Sequence, residues 1–577
     1  MIRNPILPGF NPDPSILRFG EDYFLATSTF EWFPGIAIYH SRNLKDWALR
    51  THALTDDRRL DLRRLPSAKG VWAPCLTHDG ELFHLAYSLM LSHNARYFDA
   101  DNFLVTSPSI DGPWSEPVYL HSVGFDPSFL HDEDGRKYVA CLEWELRFGP
   151  GRPGGIVVQE YDPVRKSMVG PLRKVWDGGT KRGCVEGPHL YKRDGRYYLM
   201  AAEGGTGYGH CVTMARAPSV WGPYEGDPAN PILTATDDFD EADRDDFLKP
   251  HRYNPDSPLQ KVGHASWVET PAGEPYAVHL CGRPFTPELR CTLGRETGIQ
   301  KMYWTDDGWL RLAGGGNRAA LEVPEPVPAP ADQALSPASD ARAGQALSPA
   351  THALSPAAAP VAAAPAEGRD DFDGPWNLHL VTPRVSKDRF ASTTERPGFL
   401  RLRGLQSLCS LDEVALVARR LTSLRADAAC AVEFEPEDFR QSAGLVAYYD
   451  NMDYRYLRVC RETAEGGKLL VLTSLVNGER TEVPCAVLPA GRVYLRLAFR
   501  ERELRFFYSL DGAAERSLAA AAWTACGPAM DASELSDEFC SYGEFTGTFV
   551  GLACVDARSR SARADFDWFE YRTGMEG

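Results

Sequence analysis

The first half of the chain repeats one short pattern five times, and this repeat constrains the fold more than any other feature. Each copy begins at a small or acidic residue beside Pro, Ser or Gly, continues as a short strand, turns at a glycine and ends in an aromatic second strand. The turn glycines are Gly20, Gly80, Gly135, Gly195 and Gly273, spaced by 60, 55, 60 and 78 residues. Hairpin repeats of this size are typical of propeller blades, so the sequence predicts a five-bladed β-propeller.

The starts of the five first strands predict a functional site. A propeller arranges these strands around one axis, so the residues that begin them meet at one mouth of the channel. The repeat puts Asp13, the Trp72-Ala73 pair, Asp126, Glu186 and His264 at that position. An acid beside a proline or glycine is often only the start of a turn, but three acids in register favour a shared pocket.

Charge and cysteine content exclude several classes of protein. The 62 basic and 79 acidic residues give a net charge of −17, which disfavours nucleic acid and anionic membranes as partners. No apolar run approaches the length of a membrane span, and the first residues do not resemble a secretory signal, so we expect a cytoplasmic protein. The 13 cysteines include no Cys-x-x-Cys pair, which predicts reduced thiols, no disulfide framework and no cysteine zinc site.

A change in composition divides the chain into two domains. Residues 323–367 are rich in Ala and Pro and repeat Ala-Leu-Ser-Pro-Ala, which predicts an extended linker between a propeller of residues 1–322 and a second domain of residues 368–577. The runs at 493–499 and 504–510 are rich in alternating apolar and aromatic residues and lead to an Asp-Gly turn. This pattern predicts a lectin-like β-sandwich, so the whole chain is expected to be all-β.

The predicted pocket suits the hydrolysis of a sugar acetal. Phe30, Trp72, Phe125 and Trp144 supply aromatic planes on which the C–H faces of sugar rings pack. Hydrolysis of an acetal needs one carboxylic acid to protonate the leaving oxygen and one carboxylate to activate water or to attack carbon. A third carboxylate near the acid raises its pKa and keeps it protonated. Three acids therefore have three separate functions.

Several motifs taken together resemble one family. They are Asn11-Pro12-Asp13-Pro14-Ser15, Trp72-Ala73-Pro74, Gly124-Phe125-Asp126-Pro127-Ser128, Glu186-Gly187-Pro188-His189, Gly263-His264-Ala265-Ser266, Gly294-Arg295-Glu296-Thr297, Phe545-Thr546-Gly547-Thr548-Phe549 and Ala564-Asp565-Phe566-Asp567. In this order they resemble the β-xylosidases of glycoside hydrolase family 43, over nearly the whole chain except the linker. Each motif is weak alone, and the ordered set is specific.

The resemblance implies an enzyme that removes xylose from the non-reducing end of β-1,4-xylo-oligosaccharides with inversion. It implies that Asp13 is the general base, Glu186 the general acid and Asp126 the residue that tunes and orients the acid. Arg295 resembles the arginine that hydrogen-bonds the terminal sugar, although a pairing with a neighbouring acid such as Glu296 is an alternative. His264 is expected under the substrate, either as a structural histidine or beside an ion.

The family also implies features of the second domain. An aromatic side chain of the sandwich closes the pocket, with Phe545 as the first candidate and Phe549 as the second. No cofactor is required for the chemistry, but related sandwiches carry calcium, for which Asp371 and Asp565 are candidate ligands. Solvated acidic turns are an equal alternative. Family members are often dimers or tetramers, so a homo-oligomer is expected by association only.

The sequence departs from the family pattern in two places, and three other functions compete with the β-xylosidase. The long linker leaves the docking of the domains open, and the basic loop 58–64 is a candidate for altering the outer sugar subsite. An α-L-arabinofuranosidase, or an enzyme of dual activity, is the main alternative, because arabinofuranose and xylopyranose present similarly spaced hydroxyls. A β-fructosidase is disfavoured because its characteristic motifs are missing. A non-catalytic glycan-binding protein is disfavoured because all three acids are present.

Overall fold

The chain alternates short strands with glycine turns throughout, and a computed structural model shows how these strands assemble. The structure describes residues 1–94, 97–147, 153–237, 239, 248–327, 366–463, 466–515, 518–541 and 545–574. Most of the predicted linker, residues 328–365, lies outside the described residues. No helix in the described ranges is long and apolar enough to cross a membrane.

Five antiparallel sheets follow one another along the first half of the chain, each with its strands paired in chain order. Blade one contains Ser15–Phe19 (β2), Asp22–Thr27 (β3), Gly35–Ser41 (β5) and Ala48–Leu54 (β6), preceded by Ile2–Arg3 (β1) and interrupted by Trp32–Phe33 (β4). Blade two contains Gly70–His78 (β7), Phe83–Asn94 (β8), Tyr97–Ser107 (β9) and Val118–His121 (β10). Blade three contains Ser128–His131 (β11), Lys137–Trp144 (β12), Pro153–Asp162 (β13) and Ser167–Trp176 (β14).

The last two blades complete the ring. Blade four contains Glu186–Arg193 (β15), Arg196–Glu203 (β16), Cys211–Ala217 (β17), Glu225–Gly226 (β18) and Leu233–Thr234 (β19), of which β18 and β19 both pair with β17. Blade five contains Gln260–Glu269 (β20), Pro275–Gly282 (β21), Glu296–Trp304 (β22) and Leu310–Leu312 (β23). A short 3₁₀ helix, Pro250–Arg252, precedes blade five.

The first strands of the blades contact one another in the cyclic order β2, β7, β11, β15, β20 and back to β2. Serine side chains link the first strands of neighbouring blades around the axis. The Leu76 N–H donates to Ser15 Oγ at 3.0 Å, and the Ile16 N–H donates to Ser266 Oγ at 2.9 Å. Strand β1 pairs with Glu322–Val323 (β24), which ties the two ends of the domain together. The prediction of a five-bladed propeller is confirmed.

The second domain consists of two antiparallel sheets that enclose one apolar core. One sheet has the order β27-β28-β39-β30-β35-β36-β37, with β25 also paired to β39, and the other has the order β29-β38-β31-β32-β33-β34. The strands are Gly368–Asp370 (β25), Thr382–Pro383 (β26), Ala391–Ser392 (β27), Leu400–Arg403 (β28), Ala415–Arg420 (β29), Arg425–Glu433 (β30), Gln441–Tyr448 (β31), Tyr454–Cys460 (β32), Lys468–Val476 (β33), Glu479–Leu488 (β34), Arg492–Arg500 (β35), Glu503–Ser509 (β36), Thr524–Asp531 (β37), Phe549–Asp556 (β38) and Arg563–Thr573 (β39). Three 3₁₀ helices, Lys387–Arg389, Gly512–Glu515 and Ala532–Glu534, connect them. The predicted β-sandwich is confirmed.

The two domains share a buried interface, although the linker between them is long. The rings of Trp32 and Phe549 stack with centroids 3.7 Å apart, and Phe33 of β4 pairs with Thr382 of β26. The Arg420 Nε donates to the Phe10 carbonyl at 2.6 Å. Apolar side chains of both domains belong to one core cluster. The contacts that hold the domains together therefore come from the folded surfaces.

Arginines of the basic loop 58–64 pair with aspartates close to them in sequence, and the backbone of the loop contacts the sandwich. Arg58 pairs with Asp56 and Arg63 pairs with Asp61, each at 2.7 Å, and the Arg64 N–H donates to the carbonyl of Leu411 in the sandwich. These contacts assign the loop to the domain interface, so the expectation that it modifies an outer sugar subsite gains no support.

All 13 cysteines are free thiols.

Candidate active site

One backbone feature marks the same point at the axis in all five blades. The residues Asp13, Ala73, Asp126, Gly187 and His264 have positive φ angles of 56°, 41°, 58°, 54° and 43°. Next to this residue the pairing of first and second strands is interrupted in blades two, four and five. The left-handed residue bends the chain just before β2 and β11 and within β7, β15 and β20. Non-glycine residues adopt this conformation at a cost that surrounding contacts must offset.

This repeat corrects the predicted alignment of the three acids by one residue. Asp13 and Asp126 occupy the left-handed position, but in blade four Gly187 occupies it, and Glu186 precedes it. Glu186 therefore corresponds to Trp72 and Phe125 rather than to the two aspartates. The comparison of the repeats in the sequence superposed the acid of Glu-Gly-Pro on the acid of Asp-Pro. In the structure the two motifs superpose at the proline, which follows the left-handed residue in both.

Asp13 is a buried carboxylate held by three neighbours. Its Oδ2 accepts a hydrogen bond from Ser28 Oγ at 2.7 Å, and its Oδ1 lies 3.5 Å from Arg295 Nη1 and 3.8 Å from His264 Nδ1. Ser28 in turn accepts a hydrogen bond from the Ala73 N–H at 2.7 Å. Ser28 and the Arg295 guanidinium therefore fix the orientation of the carboxylate at the axis.

Asp126 is also buried and shares its surroundings with the other two acids. Its Oδ2 accepts a hydrogen bond from the Gly187 N–H at 2.9 Å, and its own N–H donates to Ser88 Oγ at 3.0 Å. Burial, followed by the charges of Glu186 and Asp13, raises the pKa of Asp126 well above its usual value. Asp13, Asp126 and Glu186, from blades one, three and four, therefore lie near one another at the axis.

His264 lies between the chain segments of Asp13 and Glu186. A Cβ atom on Gly187 would lie 2.9 Å from His264 Nδ1, so the ring packs directly on the Gly187 backbone. Its Nδ1 also lies 3.8 Å from the Asp13 carboxylate, and its ring meets that of His189 edge to face. Burial lowers the pKa of His264, and the neighbouring Arg295 lowers it further against the opposing effect of Asp13. These contacts give His264 the role of a neutral spacer at the axis.

Arg295 connects Asp13 to the second domain. Its Nη1 donates to Thr206 Oγ1 at 2.9 Å and its Nη2 donates to the Phe545 carbonyl at 3.0 Å. The guanidinium also lies 4.8 Å from the centroid of the Phe545 ring and 5.3 Å from that of Phe30. The Nε has no hydrogen-bond partner within the described residues. The pairing with Glu296 is not formed, because Glu296 binds Arg283.

The predicted aromatic residues form a continuous wall. Ring centroids lie 5.5 Å apart for Phe30 and Trp72, 5.7 Å for Trp72 and Phe125, and 6.0 Å for Phe125 and Trp144. Phe30 is 1% exposed and Trp72 9% exposed, whereas Trp144 is only partly buried. The wall therefore runs from the floor near Arg295 to an outer end at Trp144.

The sandwich contributes one of its two candidate aromatics to this wall. Phe545 contacts Arg295 through both its carbonyl and its ring. Phe549 is fully buried against Trp32 and Phe10 and belongs to the interface core. The first candidate is therefore placed at the site and the second is not.

Sequence reasoning missed several residues around the acids. Phe98 lies between Phe125 and Trp144, with centroids 5.5 Å and 4.0 Å from theirs. Ser28 and Thr206 bind Asp13 and Arg295. All three lie outside the repeated strand starts, so the pattern that revealed the acids carries no signal for them.

The two candidate calcium ligands are both engaged by arginines. Asp565 accepts hydrogen bonds from Arg401 at 2.7 and 2.8 Å and from Arg396 at 2.8 Å. Asp371 accepts one from Arg369 at 2.7 Å. Cations of the protein already neutralise these carboxylates, so their surroundings do not fit a hard-cation site. The calcium prediction has no support from these residues.

A five-bladed propeller with two buried aspartates and a half-buried glutamate at one end of its axis, an aromatic wall beside them and a sandwich that closes the pocket defines a glycoside hydrolase. Residues 2–310 match the family described as Glycosyl hydrolases family 43, and residues 369–572 match the Beta xylosidase C-terminal Concanavalin A-like domain. The chain belongs to glycosyl hydrolase family 43.

Three relatives show how far this similarity extends. The chain is 43% identical to xylosidase/arabinosidase 43B of Humicola insolens, over 99% of this chain and 97% of the relative. It is 38% identical to a beta-xylosidase of Bacillus subtilis, over 99% of both chains. The crystal structure of xylan beta-1,4-xylosidase from Bacillus halodurans C-125 is 41% identical and superposes with a TM-score of 0.84 over 99% of this chain and 100% of that one.

Proposed function

We propose that the protein is an exo-acting β-xylosidase that releases xylose from the non-reducing end of β-1,4-xylo-oligosaccharides by inverting hydrolysis. The observation that carries this proposal is the convergence of Asp13, Asp126 and the Glu186-Gly187 segment beside Arg295 at the axis. The names of the full-length relatives support xylose as the sugar.

Each acid has a place in the reaction. Asp13, oriented by Ser28 and Arg295, takes a proton from water as the water oxygen attacks the anomeric carbon. Glu186 donates its proton to the glycosidic oxygen as the bond to carbon breaks. Asp126 accepts a hydrogen bond from the Gly187 N–H, and the proximity of the two carboxyl groups disfavours ionisation of both at once, so that one of them keeps its proton. The products are xylose and a shortened chain with a free hydroxyl, and no cofactor is needed.

The position of His264 supports inversion. Its ring lies between the Asp13 carboxylate and the backbone next to Glu186. An inverting pair is separated by roughly 6.5–9.5 Å to leave room for water, whereas a retaining pair is about 5–5.5 Å apart. The imidazole ring occupies space beside both segments, which favours the wider spacing.

Closure of one end of the wall supports exo action. Arg295 and Phe545 bridge the propeller and the sandwich at the floor, and Trp144 lies at the outer end. A pocket closed at the floor accepts a chain end and leaves the rest of the oligosaccharide to extend past Trp144.

An α-L-arabinofuranosidase activity is a second candidate. It is favoured by the similarity to the Humicola insolens protein, whose name includes both activities. A non-catalytic glycan-binding protein is disfavoured because all three acids are present and lie close together.

The test is a paired digest of xylo-oligosaccharides and an arabinofuranoside, analysed by thin-layer chromatography and by proton NMR. We expect stepwise release of xylose, with α-xylose formed before mutarotation. Release of arabinose at a higher kcat/KM would select the second candidate. Initial formation of β-xylose would reject inversion and with it the role of Asp13. An Asp13→Asn variant serves as the matched control for contaminating activity.

A further inference from the structure

A partly buried group of titratable side chains lies at the far end of blades two and three. Asp79 follows β7, His84 is on β8, His131 ends β11 and Lys137 begins β12. Strand β11 starts just after Asp126, and the five residues from Asp126 to His131 span roughly 16 Å when extended. The group is therefore remote from the proposed active site and takes no part in the mechanism above.

His84 presents one nitrogen lone pair to this group. Its Nδ1 lies 3.1 Å from the Leu82 carbonyl, which only accepts hydrogen bonds, so Nδ1 carries the proton. Its Nε2 lies 3.6 Å from Asp79 Oδ2, beyond hydrogen-bond distance. In this tautomer Nε2 is an unprotonated nitrogen that faces a carboxylate oxygen.

His131 presents a second lone pair from the neighbouring blade. Lys137 Nζ lies 2.9 Å from its Nδ1, and an ammonium only donates, so Nδ1 is unprotonated. Its Nε2 consequently carries the proton and donates to Thr77 Oγ1 at 2.9 Å. Both imidazoles thus have their outward N–H fixed by an oxygen acceptor, which is the arrangement found around metal-ligating histidines.

The three ligand atoms converge on one point. One atom each from Asp79, His84 and His131 lies within 4.8 Å of the other two. Ligand atoms at about 2.0–2.2 Å from a tetrahedral zinc ion lie roughly 3.4 Å apart, a spacing that His84 Nε2 and Asp79 Oδ2 already have at 3.6 Å. The Lys137 ammonium, 2.7 Å from Asp79 Oδ2, interacts with the same lone pairs.

We propose that Asp79, His84 and His131 form a binding site for a divalent transition-metal ion such as Zn²⁺, and that the Lys137 ammonium competes with the metal for it. Two imidazoles and one carboxylate are ligands that zinc takes in proteins. Metal binding joins the hairpin of blade two to β11 of blade three. It stabilises the propeller and leaves hydrolysis unchanged, because the acids lie at the other end of β11.

The test is calorimetric titration of the metal-stripped full-length protein with Zn²⁺, alongside visible spectra with Co²⁺. We expect one equivalent of bound Zn²⁺ per chain, a higher unfolding temperature with Zn²⁺, and a Co²⁺ spectrum of a low-coordinate site with nitrogen ligands. Activity on xylo-oligosaccharides is expected to stay the same with and without Zn²⁺.

Variants identify the ligands and the competitor. His84→Ala and His131→Ala are expected to lose binding, Lys137→Met to bind more tightly, and Thr77→Val to bind about tenfold more weakly through its outer contact. His40→Ala is the matched control, because His40 also contacts an aspartate, Asp22, at 2.7 Å but is on blade one.

Three results would overturn the proposal. They are no Zn²⁺ binding by the wild type, unchanged binding in the His84→Ala/His131→Ala double variant, or unchanged affinity in Lys137→Met. If a histidine variant does not fold, the wild-type Co²⁺ spectrum decides, since a spectrum of six oxygen ligands contradicts the assigned site.

Discussion

The Oδ2 atom of Asp126 accepts a 2.9 Å hydrogen bond from the backbone N–H of Gly187, the residue that follows Glu186. This bond joins blade three to blade four at the axis and fixes the start of the strand that carries the proposed acid. The same carboxylate, when ionised, is a negative charge beside Glu186. Asp126 therefore acts on Glu186 through both backbone position and charge, and the two effects are separable by mutation.

Asp126→Asn keeps an oxygen that accepts from Gly187 and removes the second carboxyl group. In the wild type the two neighbouring carboxyl groups disfavour ionisation of both at once. Without Asp126 as an ionisable neighbour Glu186 ionises at lower pH, so the alkaline limb of the kcat profile is expected to move to lower pH, together with a loss of rate. The measurement is a full pH profile of kcat on xylobiose. A limb that stays in place would leave Asp126 with the positioning role alone.

The two catalytic acids are distinguished by their dependence on the leaving group. Asp13→Ala is expected to abolish hydrolysis of every substrate, because each needs an activated water. Glu186→Ala is expected to lose about two to four orders of magnitude on xylobiose and much less on a 4-nitrophenyl xyloside, whose leaving group needs little protonation. Steady-state kinetics on both substrates checks this, and equal losses in Glu186→Ala would refute its role as acid.

Gly187→Ala tests the contact with His264. The new Cβ would lie 2.9 Å from His264 Nδ1 at a φ of +54°, so the ring must move away from Asp13. We expect a loss of kcat/KM of at least about tenfold, because misplacing groups by about 1 Å costs far more in rate than in stability.

The control is Gly195→Ala, which has a φ of +73° and no atom within 4 Å of the added Cβ. It carries the same backbone penalty of about 1–2 kcal/mol without the contact. Equal activity losses in the two variants would show that backbone strain, and not His264, is responsible.

Phe545→Ala and Phe549→Ala are expected to fail in different ways. Phe545 contacts Arg295 at the pocket floor, so its loss is expected to raise KM or lower kcat with a small change in the free energy of unfolding. Phe549 is buried against Trp32, so its loss is expected to lower the free energy of unfolding by about 3–5 kcal/mol. Chemical denaturation and kinetics on both variants check this, and a reversal of the two patterns would contradict the assignment.

Removal of residues 368–577 is expected to inactivate the enzyme and make the propeller insoluble, because it uncovers Trp32 and Phe10. The matched control shortens the linker to a length that still spans the gap, and we expect it to leave activity nearly unchanged. Activity and sedimentation of both proteins provide the measurement. A soluble, active propeller alone would show that the sandwich has no part in the pocket.

The repeat of strand, glycine turn and aromatic strand was sufficient to predict the propeller, and the alternating runs at 493–499 and 504–510 were sufficient to predict the sandwich. Hairpins are local, and their signals, an alternating strand and a turn glycine, lie within about 15 residues of one another. The same repeat located Asp13, Asp126 and Glu186, because equivalent strand starts meet at the axis of any propeller.

The exact register at the axis was not visible in the sequence. Gly187, rather than Glu186, shares the left-handed conformation of Asp13 and Asp126. Backbone angles depend on packing against the neighbouring blades, here on the His264 ring, which lies far away in sequence. Motif residues alone therefore aligned the acids one position off.

By itself, the sequence determined the fold class, the number of blades, the family and the acids of the site, because each depends on local periodicity or on short motifs. Only the tertiary structure decided that Arg295 binds Phe545 of the sandwich, that Phe98 completes the wall, and that Asp565 is paired with arginines. It also brought Asp79, His84 and His131 of two blades together. These contacts join residues that are distant along the chain, and only the packing of whole sheets sets the distance between them.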